Sequence, residues 1–426
     1  MSKKIAVIGA GPMGLALAYY LSKSNEVDIY EVANEVGGMA SHFDFDGLSI
    51  EKFYHFICKT DYDTFKLLED LDISDRLRWK TTHMGYFYKN KVHKWGDPMS
   101  LLFFQHIGFI DKIRYGVHAF LSTKVKKWRS LEKISAKKWL VKWVGITNYK
   151  IFWEKLLDLK FHEFADEISA EWLWTRIKRT GLSRKSIFKE ELGYLDGGSQ
   201  TLVNSLYSAI KENGGKFFLG SPPEELLEEN RKVRGLKVNG VEKDYQYVIS
   251  TIPTPNILSF ADKLSTTEKQ KLLSIDNIGV VCVLLKLKSS VSKNFWLNIN
   301  DDDIDCPGII EFSNLRDLSA NIIYVPYYMP NTHNKFNNTS DEFINESMAI
   351  IKKIAPHINN DDLLGAYVAK LKHAQPICSV NFRDKLPSPV SSIDGFFMAD
   401  TSFYYPEDRG ISESIKYAKK LSGFIK

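Results

Sequence analysis

A chain of 426 residues is long enough for two domains, each burying its own core. Its 57 basic and 52 acidic residues leave a net charge of +5, too slight over this length to mark a nucleic-acid partner. The four cysteines, Cys58, Cys282, Cys306 and Cys378, lie far apart without a C-x-x-C pair, so neither a zinc knuckle nor a disulfide framework is indicated and a reducing cytoplasm fits.

Met1 to Lys4 leave no room for a removable signal, and no run reaches about 18 uninterrupted apolar residues, so a soluble protein is expected. Ile5 to Ile8 reads as a buried parallel strand, and Gly9, Gly11 and Gly14 follow it at the G-x-G-x-x-G spacing. Gly9 permits the tight turn, Gly11 lets backbone approach a pyrophosphate, and Gly14 lets the next helix pack closely on the strand. Pro12 and Met13 open that helix, where a missing proline N–H costs nothing, and Leu15, Leu17, Ala18 and Leu21 give it an apolar face. Val27, Ile29 and Tyr30 mark a second strand ending at Glu31, whose carboxylate suits a ribose diol and would repel a 2′-phosphate. The competing account is a tight turn in a sheet that binds nothing. After Glu31 come five residues, then Gly37-Gly38-Met39-Ala40. This pattern resembles the FAD-binding signature of the amine oxidase and protoporphyrinogen oxidase superfamily, which implies FAD as cofactor, held by Gly9, Gly11, Pro12, Met13, Gly14, Glu31, Gly37, Gly38 and Met39.

Phe43 to Gly47 reads as a strand and turn, and the following stretch from Ile50 to Ile57 contains Glu51-Lys52-Phe53-Tyr54-His55. In the bacterial flavoproteins that this chain resembles, that stretch runs near the flavin ring, which implies that His55 faces the redox centre; the alternative is a packing histidine. Asp61 to Leu71 predicts an amphipathic helix. From about 81 to 190 strand character is lost, and an inserted helical region is expected. Within it, Met99 to Trp128 combines Leu101, Leu102, Phe103, Phe104, Ile107, Phe109 and Ile110 with the basic Lys124, Lys126, Lys127 and Arg129. It reads as a helical wall with a solvated basic end in preference to a peripheral membrane contact. Ser135 caps a helix stopped by Gly145, a second begins at Thr147, and a third runs from Ser169 to Gly181. On the third, Trp172, Arg176 and Arg179 share a face that suits a planar group and a carboxylate or diphosphate; a solvated basic face beside a packed Trp is the competing account.

Leu192 to Gln200 forms a glycine-rich turn into a helix, Thr201 to Asn213, and a strand, Lys216 to Leu219. The superfamily commonly has a valine after this strand whose backbone meets the adenine, whereas this chain has Ser221-Pro222-Pro223, and a proline has no N–H to donate. A hairpin, Val233 to Val241, and a strand, Tyr247 to Thr251, come next; Val280 to Leu287, Ile309 to Phe312 and Asn321 to Val325 are further strands, and Asp341 to Ile354 a helix. Asp301, Asp302, Asp303 and Asp305 lack regular ligand spacing, so an exposed turn is expected and no metal. Gly395 to Asp400 predicts a last strand ending on an acid, and Tyr405 to Gly410 leads into a helix from Ile411 to Phe424. The resemblance implies that Asp400 binds the FAD ribityl or phosphate region and that the helix beginning at Gly410 and Ile411 points its positive end at the flavin.

The expected fold is α/β: a Rossmann-like FAD-binding domain, a doubly wound parallel sheet, with a discontinuous α+β substrate domain carrying a helical insertion. Residues 1–80, 190–255 and 385–426 are assigned to the first and 81–189 and 256–384 to the second. The resemblance is strongest to bacterial protoporphyrinogen-oxidase-like oxidoreductases, through Glu51 to His55, Ala165 to Trp174 and Tyr405 to Gly410, and implies an FAD-dependent oxidoreductase, many relatives serving surface-polysaccharide pathways. Amine oxidases commonly keep a lysine near flavin N5, and Gly279 to Leu287 offers only the late Lys286. The alternatives are a reduced-flavin mutase similar to UDP-galactopyranose mutase, with NAD(P)H as external reductant and a nucleotide sugar as substrate, and a non-catalytic FAD-binding partner protein. Candidate catalytic residues are His55, Tyr405 and Arg409, with Tyr404 beside them; Trp172, Arg176, Arg179 and Arg383 are candidates for holding a small-molecule substrate.

Overall fold

The computed structural model describes residues 2–126 and 129–425. Two sheets dominate. The first has five parallel strands in the order Lys216–Phe218, Glu26–Tyr30, Lys4–Ile8, Tyr247–Ser250 and Phe396–Met398. Lys4–Ile8 is central, in register with Glu26–Tyr30 on one side and Tyr247–Ser250 on the other. Both of its faces are covered, which is why its sequence is an unbroken apolar run. Helix Pro12–Ser22 covers one face and is itself wedged between Ser199–Glu212 and Ile411–Ser422, so it is apolar nearly all round.

The second sheet has seven strands, ordered Leu363–Pro376, Asn277–Leu287, Asn321–Pro330, Gly308–Glu311, Trp296–Asn300, Met84–Tyr88 and Lys91–Trp95. All neighbours are antiparallel except Trp296–Asn300 and Met84–Tyr88. Asn277–Leu287 is buried on both sides. Val281, Val283 and Leu285 pack toward helix Ser340–Ile354, while Cys282 and Leu284 pack toward Phe45, Ile50 and Phe312.

The stretch from 81 to 190 is not purely helical. Leu77–Thr82, Met84–Tyr88 and Lys91–Trp95 are strands, as are Arg184–Ser186 and Lys189–Leu195, and the helices lie between them, from Pro98 to Leu182. Strand Leu363–Pro376 has no counterpart in the sequence reading, because Gly365, Ala366 and three lysine or histidine positions interrupt its apolar alternation. Helix Ala136–Val144 is capped by the Ser135 hydroxyl and stopped by Gly145 at φ +86, and Ala170–Leu182 is capped by Ser169. The Asp301 carboxylate accepts from Lys353 and from the Asn90 amide, and no metal-binding cluster occurs among the described residues. Lys127, in the basic run, and Trp128 lie outside the described residues.

Candidate functional site

A cavity of about 860 Å³ begins at the carboxyl end of the parallel sheet and reaches the second sheet. Gly9, Gly11, Pro12, Met13 and Gly14 form its floor at the nucleotide end. Gly9 sits at φ +98, and a Cβ on Gly14 would lie 1.9 Å from the Gly9 carbonyl oxygen, so the strand, turn and helix meet in contact. A Cβ on Gly11 would meet nothing closer than the Gly38 Cα at 4.0 Å; the room above Gly11 is cavity. Gly37, at φ +116, donates to the Ala10 carbonyl and holds the second glycine turn behind the wall, which Gly38 and Met39 enter. Glu31 accepts from the Ala10 amide at 2.7 Å and the Ala33 amide at 3.0 Å, which presents its carboxylate at the cavity edge. Pro222 and Pro223 border the same end and offer no amide donor themselves; Asn256 and Ser259 are polar side chains there.

At the opposite end of the cradle, Asp400 is buried and accepts from the Thr254 amide at 2.7 Å and the Ser402 amide at 2.9 Å. Burial pushes its carboxyl up, against those hydrogen bonds. Gly410 and Ile411 open the last helix on the cavity, and a Cβ on Gly410 would meet nothing. The first-turn amides of that helix have no intrahelical acceptors and face the cavity with the positive helix end. Thus an anion-accepting floor, a ribose-directed acid and a positive helix end lie along one channel, a donor set that fits FAD.

Beyond the cradle the wall becomes aromatic and charged. His55 lines it with Nδ1 unpartnered, and burial, opposed by Glu51, pushes its imidazole down to about 4, so it is neutral at pH 7. Tyr54 stands edge-on to Trp296 at 5.6 Å, and Tyr328 continues this wall. Facing them are Arg176, paired with Asp408; Arg179, bidentate on Asp61 at 2.8 and 3.2 Å; and Arg409, which donates to the Ala374 carbonyl. Burial pushes the Asp408 carboxyl up, but Arg176, Lys160 and Arg409 outweigh it and hold it below the usual range.

Lys160 is the residue that sequence reasoning missed. Its side chain is 7% exposed and lines the cavity, yet its Nζ makes no hydrogen bond or ion pair among the described residues. It lies about 5 Å from the ring centroids of Trp172 and Tyr328, at 5.2 Å each. Burial, reinforced by Arg176, pushes its ammonium well below the usual lysine range. Leu156 lines the same cavity one helical turn earlier, but no sequence pattern marks that face of the helix.

Besides Gly37, which stands behind the wall, three proposed site residues do not reach the cavity. Trp172 is 2% exposed and packs against Phe161, because the helix turns that edge into the core and presents Thr175, Arg176, Arg179 and Thr180 to the cavity. Arg383 is held by Glu171 at 2.8 and 2.9 Å and by Glu132 at 2.7 Å. The Tyr405 hydroxyl is bound to Ser169 at 2.8 Å and Glu171 at 2.9 Å, and its neighbour Tyr404 lines the cavity instead. Lys286 reaches Asp46 at 3.3 Å, away from the cavity.

These features define a flavoenzyme of two interleaved sheets with its cofactor channel between them. The sequence profile of the flavin-containing amine oxidoreductases matches residues 14–385, and the chain belongs to that family, which implies FAD as its cofactor. It is 24% identical over 271 residues to the 15-cis-phytoene desaturase of Synechococcus elongatus, a match covering 58% of this chain and 56% of that protein. The chain thus spans only about half the length of that relative. A solved structure from Exiguobacterium sp. 255-15, provisionally named a protoporphyrinogen oxidase, superposes with a TM-score of 0.78 at 15% identity, covering 100% of this chain and 99% of that one. Putrescine oxidase bound to putrescine superposes with a TM-score of 0.73 at 13% identity, covering 100% and 99%. The two superpositions establish the fold.

Proposed function

We propose that the chain dehydrogenates a largely apolar small molecule carrying a carboxylate or phosphate. The observation that carries this reading is the unpaired Lys160, with Arg176 and Arg409 on the same cavity, against the Tyr328 end of an aromatic wall that Tyr54 and Trp296 continue. An entering anion satisfies the buried amine and raises its protonated fraction, while the aromatic wall takes the apolar body. Held by the Gly9–Gly14 turn, Glu31 and the start of the last helix, FAD would supply a hydride acceptor reoxidised by dioxygen or a quinone, the substrate's proton leaving to solvent. The protein orients the C–H bond, keeps water out with the Tyr54 to Ile57 segment, and offers neutral His55 as a hydrogen-bond partner. A cationic alkylamine, the substrate named for putrescine oxidase, is disfavoured by the charge of this wall.

A reduced-flavin pyranose–furanose mutase is the second reading, favoured by the number of cations on the wall. Against it, Asp408 and Asp61 already engage Arg176 and Arg179, which a nucleotide diphosphate would require. A role in surface-polysaccharide synthesis rests on the sequence resemblance, and a non-catalytic FAD-binding role has no feature of this wall in its favour.

The test is anaerobic bleaching of the flavin absorbance by paired acids and their amides. Bleaching by acids, with amides weaker by about tenfold or more, supports the proposal. Equal bleaching by amides or amines overturns it. Conversion of a nucleotide pyranose to its furanose by the reduced enzyme establishes the mutase instead, and neither activity with any compound leaves the non-catalytic reading.

A further inference from the structure

Helix Phe109–Lys124 is amphipathic in the wrong direction for a solvated surface. Its buried residues are His118 and Ser122, while Ile110, Ile113, Val117, Phe120 and Leu121 point outward. Ile110 is 73% exposed, Phe109 68% and Phe120 62%, and the spacing places them along one stripe. Isolated exposed apolar residues are ordinary on a protein surface; a continuous stripe is not.

The stripe extends to both sides. Helix Pro98–Phe103 packs on it where Leu101 approaches Gly116, and adds Met99, Leu102 and Phe103, the last 70% exposed. On the other flank Thr123 approaches Gly181, and the turn after helix Ala170–Leu182 brings Leu182, Ile187 and Phe188, all exposed. Arg184 donates to the Gly96 carbonyl and ties that turn to the start of the first helix.

Charge around the stripe has one sign. Residues 98–130 contain Lys112, Arg114, Lys124, Lys126, Lys127 and Arg129 against a single acid, Asp111. The 182–189 turn adds Arg184, Lys185 and Lys189 and no acid. Two copies of this face apposed would confront like charges, whereas an anionic lipid surface meets them with opposite charge and takes the aromatic side chains into its interface. No helix among the described residues is long and apolar enough to cross a membrane, so this contact would be peripheral.

We propose that this face docks the protein on an anionic bilayer surface, with Phe103, Phe109, Ile110 and Phe120 entering the interface and the lysines and arginines meeting headgroup phosphates. On this proposal the stretch is a peripheral membrane contact in place of a helical wall with a solvated basic end. Helix Ala170–Leu182 separates this face from the cavity and carries Arg176 and Arg179 on its other side, so docking sets the cavity beside the lipid.

The test uses the full-length FAD-loaded protein and vesicles of phosphatidylcholine alone or with phosphatidylglycerol. The expected result is flotation with the anionic vesicles, weakened by salt, and at least tenfold less partitioning for a Phe103→Ser, Phe109→Ser, Ile110→Ser, Phe120→Ser variant. A control on exposed apolar residues elsewhere, Val241→Ser with Leu273→Ser, should partition as the wild type does. Flavin content and melting temperature report that each variant is folded. In addition, every described native cysteine is buried, so an environment-sensitive dye on Ile110→Cys should shift to the blue on anionic vesicles. Absence of flotation, equal flotation of the quadruple variant, or an unshifted dye overturns the proposal. So does a wild-type dimer that the quadruple variant dissociates with no vesicle binding, which would make the occupant a second copy.

Discussion

At the residue scale, Gly11 and Gly14 separate holding the fold from holding the cofactor. Gly14→Ala forces a Cβ to 1.9 Å from a backbone oxygen, so it should lower the melting temperature and release FAD together. Gly11→Ala meets open space at φ −73, so its stability should stay within about 0.5 kcal/mol of wild type while its FAD affinity falls by about tenfold or more. Melting curves and flavin-to-protein ratios check both, and an FAD-replete Gly11→Ala protein would sink the cradle assignment. Lys160→Met tests the buried amine. The folded state holds its ammonium well below the usual range, so between the folded value and 10.5 the unfolded chain binds more protons and stability rises with pH. Lys160→Met should flatten that rise, keep or raise stability at pH 7, and increase KM about tenfold with kcat little changed. A wild-type stability that falls between pH 7 and pH 9.5 while the variant's is flat would contradict the assignment. The glycines were legible in sequence because each answers a backbone requirement; Lys160 was not, because a lysine in a short helix reads as solvated until strand Asn321–Pro330 lays Tyr328 over it.

At the element scale, sequence placed several helices with chemical boundaries but missed Thr266–Leu273, although Ser265 and Glu268 form a capping box for it. Ser135 and Gly145 bracket one, Ser169 opens another, and Thr339 with Glu342 forms a capping box for Ser340–Ile354. Strands Met84–Tyr88 and Lys91–Trp95 were missed, since their aromatic and basic residues carry no clear period and one face is buried only by the inserted helices above it. The orientation of Phe109–Lys124 was equally hidden: periodicity reveals an apolar face but not which way it turns. His118 marks its inner face. It lies edge-on to Trp139 at 4.6 Å with Nε2 unpartnered, and burial pushes its imidazole down to about 4. Between pH 6.5 and 4 the unfolded chain binds a proton that the folded protein refuses, so stability falls as pH falls through that window. His118→Phe keeps the ring contact and removes the titration; the stability lost between pH 6.5 and 4.5 should shrink by about 2 kcal/mol. An unchanged pH slope in thermal melts would show that His118 is not the buried group.

At the scale of the whole molecule, the parallel sheet draws strands from residues 4–30, 216–250 and 396–398, with the second sheet filling much of the sequence between them, so both sheets must be locked at a junction that local patterns cannot announce. Glu51 is that junction. It is 1% exposed and accepts from Arg316, which follows strand Gly308–Glu311 in the second sheet, at 3.1 Å, and from the Ser199 amide at 3.0 Å at the start of the helix that packs on Pro12–Ser22. The Glu51 carbonyl also receives the Tyr324 hydroxyl at 2.6 Å, and His42 lies 3.4 Å from its carboxylate. Sequence placed Glu51 in a motif shared with flavoproteins without revealing that its partners lie about 150 and 265 residues onward. Burial pushes the Glu51 carboxyl up, but His42, Arg316 and Ser199 prevail and bring it to about 2. The folded value lies below the unfolded one, so the pairing stabilises fully above about pH 4.5 and is lost as pH falls toward 2. Glu51→Gln leaves Arg316 buried without its counter-charge and should cost about 3–5 kcal/mol at pH 7 by urea unfolding, the deficit narrowing toward pH 3 as the unfolded wild-type chain takes up a proton that the folded one refuses. Glu51→Gln with Arg316→Met removes both charges and should recover more than half of the loss. If the double substitution is no better than the single one, the carboxylate acts through Ser199 and the helix it begins, and the two sheets are held together by their apolar contacts alone.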